Sequence, residues 1–234
     1  MRKEKQTLLN KSVEQLKKER NELKKWRAIL LGVVFLILLI FVDQFTKLAA
    51  DVYFGERGNE HVTVIPGWVY LEIAYNRGIA YGKFGDASQG LKIGIIVGTA
   101  VLMAILTVIY VRTDTRRVFL RAALILIIAG GLGNLIDRVE YRIWDENTLY
   151  GVRDMINLER FGFAVCNLAD FFITGGAVML VLALLFFDRD ALFPTGKRYK
   201  ALAWEYDNRK NELVEVKGSR YVEDYEPKTT DEEQ

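Results

Sequence analysis

Six residues with carboxyl or amide side chains occur where the apolar stretches of this chain end or connect. They are Asp43, Asn134, Asp137, Asp154, Asn167 and Asp170. Two carboxyl groups held close together cannot both ionise cheaply, so one of them keeps a proton. Such a pair can activate water, because the carboxylate takes a proton from the water while the carboxylic acid polarises a carbonyl group. The residue types therefore favour a hydrolytic reaction at a carbonyl group, performed by a pair of carboxyl groups.

The other common hydrolytic groups are scarce in the sequence. There is one histidine, His61, one cysteine, Cys166, and no His-Glu-x-x-His motif. These two residues are too few for a zinc site, and a lone cysteine cannot form an intrachain disulfide. Of the three serines only Ser88 falls in a loop on the predicted side of the cluster, and no motif flanks it. A serine–histidine or metal mechanism is therefore disfavoured, and no metal or other cofactor is predicted.

Four apolar stretches must position these residues. Each approaches the length that spans a bilayer, and the predicted helices cover about 28–50, 93–111, 118–137 and 168–187. They are apolar most of the way round, whereas a water-soluble helix is amphipathic. We therefore expect an all-α integral membrane protein with four transmembrane helices. A small β-rich element is expected in the first outer loop, because residues 61–75 are rich in β-branched and aromatic types around the turn signal Pro66-Gly67.

The charges of the connecting segments predict the orientation in the membrane, since cytoplasmic segments carry an excess of lysine and arginine. Residues 1–27 contain ten such cations, and the short 112–121 connection contains four arginines and one aspartate. The 51–92 and 138–167 connections each contain four basic and five acidic residues. We therefore expect a charged cytoplasmic leader (1–27), a four-helix domain (28–187) and a charged cytoplasmic tail (188–234). The polar residues then gather at the outer face.

The same residues have a structural interpretation. Asp43 and Lys47 are four apart and can pair on one helix face, and Asp137 can pair with Arg138 or another cation. An ionisable group inside a membrane costs at least about 2.5–3.5 kcal/mol, so an ion-paired plug is an alternative to a catalytic site. Three glycines of the third helix can likewise serve close helix packing or the approach of a substrate. They are Gly130, Gly131 and Gly133.

Five short motifs, in this order, resemble those of the type II signal peptidases, which are the lipoprotein signal peptidases of bacteria. They are residues 43–47 (DQFTK), 76–81 (NRGIAY), 130–138 (GGLGNLIDR), 151–155 (GVRDM) and 167–170 (NLAD). Each motif alone is weakly specific, but five in register across four predicted helices are a strong signal. The resemblance extends from the first predicted helix to the fourth and does not include the charged leader or the charged tail. Tyr81, Met155 and Cys166 depart from the usual family residues, and each keeps an apolar or aromatic character.

This resemblance implies an aspartyl endopeptidase of the bacterial inner membrane, which cuts a diacylglyceryl-modified prolipoprotein just before the lipidated cysteine. Carried over by motif, the catalytic pair falls on Asp154 and Asp170. Asp137 is an alternative to Asp154 in the catalytic pair, but its position beside Arg138 suits a structural ion pair better. The residues expected to bind substrate or support the site are Asp43, Lys47, Asn76, Gly78, Ala80, Asn134, Asp137, Arg138, Asn167 and Ala169. The expected partners are the lipid-modified prolipoprotein and membrane lipid, with no nucleic acid and no obligate protein partner.

Two functions of other classes are alternatives. Intramembrane carboxyl groups also mark ion pathways, so a small ion- or proton-coupled transporter is one of them. A transporter predicts polar residues along the whole membrane depth, yet the second helix and the inner halves of the others are apolar. A non-enzymatic assembly factor is the other. Cleavage of a lipidated precursor by the purified protein separates both alternatives from a peptidase.

Overall fold

The structure is a computed structural model that describes residues 2–55, 60–78 and 87–187, with the backbone alone at 2–21 and at 159. Four long helices dominate it. They are α1 (Arg2–Phe54), α2 (Gln89–Arg112), α3 (Val118–Glu140) and α4 (Leu168–Leu182), and α4 continues as one π-helical turn, Ala183–Phe187. Each contains a stretch long and apolar enough to cross a membrane. The prediction of four membrane-spanning helices is therefore confirmed.

Helix α1 is longer than the first apolar stretch. It begins at Arg2, whereas the predicted membrane-spanning segment begins near residue 28. The charged leader contains no glycine or proline, and it is rich in Lys, Glu, Gln and Leu, which all favour helices. The charged residues therefore continue the same helix. The predicted tail, 188–234, lies outside the described residues.

A three-stranded antiparallel sheet lies between the helices in sequence, in the order β1–β2–β3. Its strands are β1 (Val62–Ile65), β2 (Val69–Asn76) and β3 (Val152–Asn157). The turn between β1 and β2 has Gly67 at φ +75°, and the Trp68 amide donates to the Ile65 carbonyl over 2.9 Å. The predicted β-rich element of the first loop is confirmed. Strand β3 comes from the second long loop, where no strand was predicted.

The helices pack around α3, which contacts α1, α2 and α4. Small residues permit this closeness. A Cβ added to Gly130 would collide with the backbone carbonyl of Ala169 in α4, and one added to Gly131 would collide with the Met103 sulfur in α2. A cluster of buried apolar residues lies near the α2–α3 connection and includes the end of α4; it consists of Tyr110, Leu120, Leu124, Ile125, Ile128 and Ala183. Close packing is thus one role of the α3 glycines.

The bundle has two distinct ends. Helices α1 and α3 finish, and α2 and α4 begin, at the end that carries the sheet, which we call the sheet end. The short 113–117 connection marks the opposite end, which we call the loop end. Ala50 and Phe54 of α1 pack with Met155 of β3 and so attach the sheet to the bundle. The six polar residues singled out in the sequence all lie at the sheet end.

Candidate active site

One half of the polar cluster is bound by cations. Asp43, Lys47 and Asp137 are fully buried. The Lys47 ammonium lies 2.9 Å from the Asp43 carboxylate and 3.7 Å from that of Asp137. The Arg153 guanidinium contacts Asp137 over 2.8 Å. The predicted Asp43–Lys47 pair is therefore present.

The predicted pairing of Asp137 with Arg138 is not what the structure shows. Asp137 faces α1 and β3, where Lys47 and Arg153 supply the cations. Arg138 lies on another side of the same helix end and donates to the carbonyls of Asn134 (3.1 Å) and Gly78 (3.3 Å). The other prediction for Asp137, a pair with a different cation, is correct, and the cations are Lys47 and Arg153.

The other half of the cluster is held by amides. Asp154 accepts from the Asn167 side chain over 2.6 Å and from the Asn76 side chain over 3.3 Å. Asp170 accepts from the Asn134 side chain over 2.9 Å and from the Asn167 backbone N–H over 3.1 Å. The hydrogen-bond donors to these two carboxyl groups are thus neutral amides, whereas Asp43 and Asp137 are paired with cations.

Two asparagines connect the carboxyl groups of Asp154 and Asp170. The Asn167 amide group that donates to Asp154 also donates to the Asn134 Oδ1 over 3.1 Å, and Asn134 in turn donates to Asp170. Lys47 donates to the same Asn134 oxygen over 2.9 Å. A continuous hydrogen-bonded chain thus runs from one carboxyl group to the other, and Lys47 attaches it to the cation-bound half.

The start of α4 fixes Asp170. Asn167 caps the helix by accepting the Asp170 N–H over 3.1 Å, while the Asp170 carboxyl group accepts the Asn167 N–H, which makes a reciprocal capping box. Asp43 accepts the Ala169 N–H over 2.9 Å. These bonds therefore fix the Asp170 carboxyl group at the first turn of α4.

Strand β3 is fixed against the start of α4. The Met155 and Ile156 N–H groups both donate to the Cys166 carbonyl, over 2.9 and 2.8 Å, and the Cys166 N–H donates to Ile156. Because Asp154 directly precedes this contact and Asn167 directly follows Cys166, the backbone pairing brings Asp154 to the capping box. No pattern in the sequence predicts this bridge.

Burial and the neighbouring charge change the protonation of the site. Burial, and then the charge of Asp170, raise the pKa of Asp154 to about 7. Burial, and then the charges of Asp170 and Asp154, raise the pKa of the Cys166 thiol to about 11, so this thiol is not an activated nucleophile. One carboxyl group can therefore carry a proton at neutral pH, beside a cysteine that stays neutral.

Of the predicted residues not yet described, Asn76 and Gly78 also lie at this site. The Gly78 N–H donates to the Asn76 side chain over 2.9 Å, so these two residues order the end of β2. Ala80 lies outside the described residues. Sequence reasoning missed two contributors, Gln44 and Arg153. Gln44 contacts Asp43 and accepts from Arg153 over 3.2 Å. Gln44 lies in the 43–47 motif and Arg153 in the 151–155 motif, so their motif positions could have identified them.

Comparisons with known proteins identify the family to which this chain belongs. Residues 35–186 match the family model of signal peptidase (SPase) II. A lipoprotein signal peptidase of Ectopseudomonas mendocina is 32% identical over 160 residues, which are 66% of this chain and 88% of that protein. One from Streptococcus pyogenes serotype M6 is 33% identical over 157 residues, which are 66% of this chain and 92% of that protein.

Solved structures show the same fold. Two structures described as a bacterial membrane enzyme, determined by the in meso method, superpose with TM-scores of 0.54 and 0.50 at 26% and 25% identity. Each alignment covers 66% of this chain, together with 87% and 92% of the other chains. Residues 35–186, which match the family model, contain part of the first membrane-spanning segment, almost all of the other three and both halves of the polar cluster. This chain therefore belongs to the signal peptidase II family of multi-pass bacterial membrane peptidases.

Proposed function

We propose that this protein is a lipoprotein signal peptidase. It removes the signal peptide of diacylglyceryl-modified prolipoproteins by cleaving before the lipidated cysteine. The names of its relatives support the substrate class. One observation carries the catalytic assignment: within the cluster, amides bind Asp154 and Asp170, whereas cations bind Asp43 and Asp137.

The proposed reaction uses the two amide-held carboxyl groups as acid and base. Asp154, whose pKa is raised to about 7, carries the proton, and Asp170 at the helix N-terminus is the carboxylate. Asp170 takes a proton from a water molecule as its oxygen attacks the scissile carbonyl carbon. Asp154 donates its proton to the carbonyl oxygen, which gives a neutral tetrahedral diol. Return of the diol proton to Asp154, with transfer of the Asp170 proton to the amide nitrogen, breaks the C–N bond and regenerates both groups.

The supporting residues position these carboxyl groups and the substrate. Asn134 and Asn167 orient the carboxyl groups, and Asp43, Lys47 and Asp137 keep α1, α3 and the start of α4 together. Arg138 has a different part. Its Nε is buried and has no hydrogen-bond partner in the described part of the chain. We assign this donor, together with Asn76, to the substrate backbone.

The charge distribution supports the orientation of the site in the membrane. The leader and the 112–121 connection carry most of the cations among the connecting segments, so we place both termini and the loop end in the cytoplasm. The sheet end then lies at the outer face of the inner membrane. A prolipoprotein whose acyl chains stay in the outer leaflet presents its modified cysteine at this depth.

The test replaces each carboxyl group without changing its size. We expect Asp154→Asn and Asp170→Asn, each in the full chain reconstituted in liposomes, to cleave a diacylglyceryl-modified precursor peptide at least about 100-fold more slowly than the wild type. Asp145→Asn is the matched control, because Asp145 is exposed and its side chain accepts from Asn147, two residues further along the same turn. A precursor with an unmodified cysteine tests the substrate class and should not be cut. Normal cleavage by either carboxyl variant, or no cleavage by the wild type, would overturn the proposal.

A further inference from the structure

A second carboxylate, at the end of α1, binds two tyrosines close to the proposed site. The Tyr75 hydroxyl donates to the Asp51 Oδ1, and the Tyr141 hydroxyl donates to the Oδ2 over 3.3 Å. The Tyr150 ring packs edge-on against Tyr75 with centroids 5.0 Å apart and stacks on Tyr141 at 5.5 Å. We call these four residues the Asp51 cluster. They join α1, β2, the end of α3 and the segment before β3, and none of them lies in the five family motifs.

The strand register places this cluster on the face of the sheet opposite Asp154. Tyr75 pairs with Arg153, and Ala74 pairs with Asp154. Because side chains alternate along a strand, Tyr75 and Arg153 share one face while Asp154 lies on the other. The Arg153 guanidinium also lies over the Tyr141 ring, 5.2 Å from its centroid. The cluster therefore contacts the residue that immediately precedes Asp154.

Helix α1 contacts both carriers of the proposed catalytic groups. Asp43 accepts the backbone N–H of Ala169, which is next to Asp170. Asp51, eight residues further along the same helix, binds Tyr75 and Tyr141 beside β3. Eight residues of α-helix span about 12 Å. The same helix thus contacts the start of α4 at one point and the sheet with the end of α3 at another, which adds to the direct bonds between β3 and Cys166.

The hydrogen bonds of the cluster are of the stronger kind, because their acceptor is a carboxylate. Burial, and then the hydrogen bond and charge of Asp51, raise the pKa of Tyr75. Burial raises the pKa of Tyr141 to about 12. Both hydroxyl groups therefore stay protonated and remain donors over the pH range in which a peptidase is assayed.

We infer that Asp51, Tyr75 and Tyr141 are positioning residues, which hold β2 and β3 against α1 and so fix the carboxyl group of Asp154 beside Asp170. The inference rests on the proposed function, in which that pair performs the hydrolysis. Asp51, Tyr75 and Tyr141 do not touch the reacting atoms. They act through the backbone of β3, and loss of their hydrogen bonds lets Asp154 move towards solvent and away from Asp170.

The titration of Asp154 reports this movement. Three charged side chains face it, namely Asp170 from α4, Lys47 from α1 and Arg138 from α3, with the Cys166 thiol adjoining. Burial is the largest cause of its raised pKa, followed by the charge of Asp170. Greater exposure and a longer distance to Asp170 both lower that pKa. The pair then loses its shared proton at a lower pH, so the alkaline limb of the kcat profile shifts towards acid.

The experiment uses Tyr75→Phe, Tyr141→Phe and the double variant in the full chain, reconstituted in liposomes with a diacylglyceryl-modified precursor peptide. We expect the double variant to lower kcat at least about tenfold with KM changed less than about twofold, because misplacement of a catalytic group affects the transition state more than binding. Its alkaline limb should shift to lower pH. Tyr70→Phe is the matched control. Its hydroxyl is on the same strand, but within the described residues it accepts from the Gly67 N–H in the adjoining turn, over 3.1 Å, and contacts no carboxylate.

Several outcomes would overturn the inference. One is a double variant with the kcat and pH profile of the wild type, and another is an equal loss in Tyr70→Phe. Thermal unfolding in detergent measures the folded fraction, and a lower folded fraction with unchanged kcat per folded enzyme would show a purely structural role. If the double variant does not fold, the kcat and pH profile of the single variant Tyr141→Phe test the inference instead. Activity that survives in Asp154→Asn would instead reject the proposed function, so the two failures are distinguishable.

Discussion

Helices α2 and α3 are nearly equal in length, at 24 and 23 residues, and both can cross a membrane, yet they occupy opposite kinds of environment. In α3, 61% of the most apolar stretch is buried inside the protein, and in α2 only 11%. Helix α3 packs against all three other helices, whereas α2 packs mainly against α3. Apolarity therefore identifies the spanning helices without showing which one is central.

Polar and small residues make the difference between the two helices. Asn134, Asp137 and Arg138 of α3 are buried and bind groups on other elements. The hydroxyls of Thr99 and Thr107 in α2 donate to carbonyls of their own helix, over 2.8 Å each. A side chain that bonds within its own helix can face lipid, but one that bonds elsewhere must lie at an interface. The polar groups of α3 thus mark it as the centre of the bundle.

Among the substitutions compared in α2 and α3, removal of the Asn134 amide should reduce the cleavage rate most. In Asn134→Leu, Asp170 loses an amide donor, Asn167 loses an acceptor, and Lys47 keeps only its carboxylates. We expect cleavage of a lipidated precursor to slow about 100-fold, because the carboxyl groups lose their alignment. Thr107→Val is the control on α2 and should change the rate less than about twofold. A rate for Asn134→Leu close to that of the wild type would contradict the role of the amide chain.

A methyl group added to one glycine of each helix sharpens the same comparison. Gly130→Ala in α3 should push the helix away from the Ala169 carbonyl at the start of α4, whereas a Cβ at Gly98 in α2 meets no atom within 4 Å. Overpacking of this kind costs about 1–3 kcal/mol, and we expect the folded Gly130→Ala enzyme to be about tenfold slower because Asp170 moves with α4. Gly98→Ala should match the wild type. Thermal unfolding and initial cleavage rates measure both, and similar results for the two variants would refute the assigned packing.

The sequence predicts the elements of this protein better than the contacts between them. The four spans follow from local apolarity, and the β1–β2 hairpin follows from β-branched residues around Pro66-Gly67. Strand β3 escaped prediction because Arg153 and Asp154 interrupt its apolar pattern, although both are buried. Their burial depends on partners from α1, α3 and β2 that no local pattern encodes.

The site shows the same limit. The predicted course of the four helices placed the carboxyl and amide residues at one end of the bundle, where the structure also has them. The pairing of Asp137 with Arg153 could not be read from the sequence, because it depends on the position of β3, and adjacency favoured Arg138 instead. The division between cation-bound and amide-held carboxyl groups is therefore a product of tertiary structure.

The smallest effect on activity is expected at the loop end, where α2 and α3 share a buried cation. Arg121 of α3 donates to the Tyr110 and Thr113 carbonyls over 3.1 and 3.0 Å, to the Tyr110 hydroxyl over 2.6 Å, and to the Ala28 carbonyl of α1 over 3.3 Å. These partners are neutral, so this cluster binds three helices together without a carboxyl pair.

We expect Arg121→Met to lower the free energy of unfolding by about 1–3 kcal/mol, since buried acceptors lose their donor, and to leave the cleavage rate per folded enzyme unchanged. Arg116→Met is the control, because Arg116 forms a partly exposed pair with Asp114 at 3.1 Å, and such pairs contribute about 0–1 kcal/mol. Chemical unfolding and cleavage assays on the same preparations separate stability from rate. A tenfold slower Arg121→Met enzyme would show that the loop end of α3 influences the carboxyl pair at the sheet end. An unchanged rate with reduced stability would show instead that one helix carries two independent polar clusters, of which only the one at the sheet end takes part in the reaction.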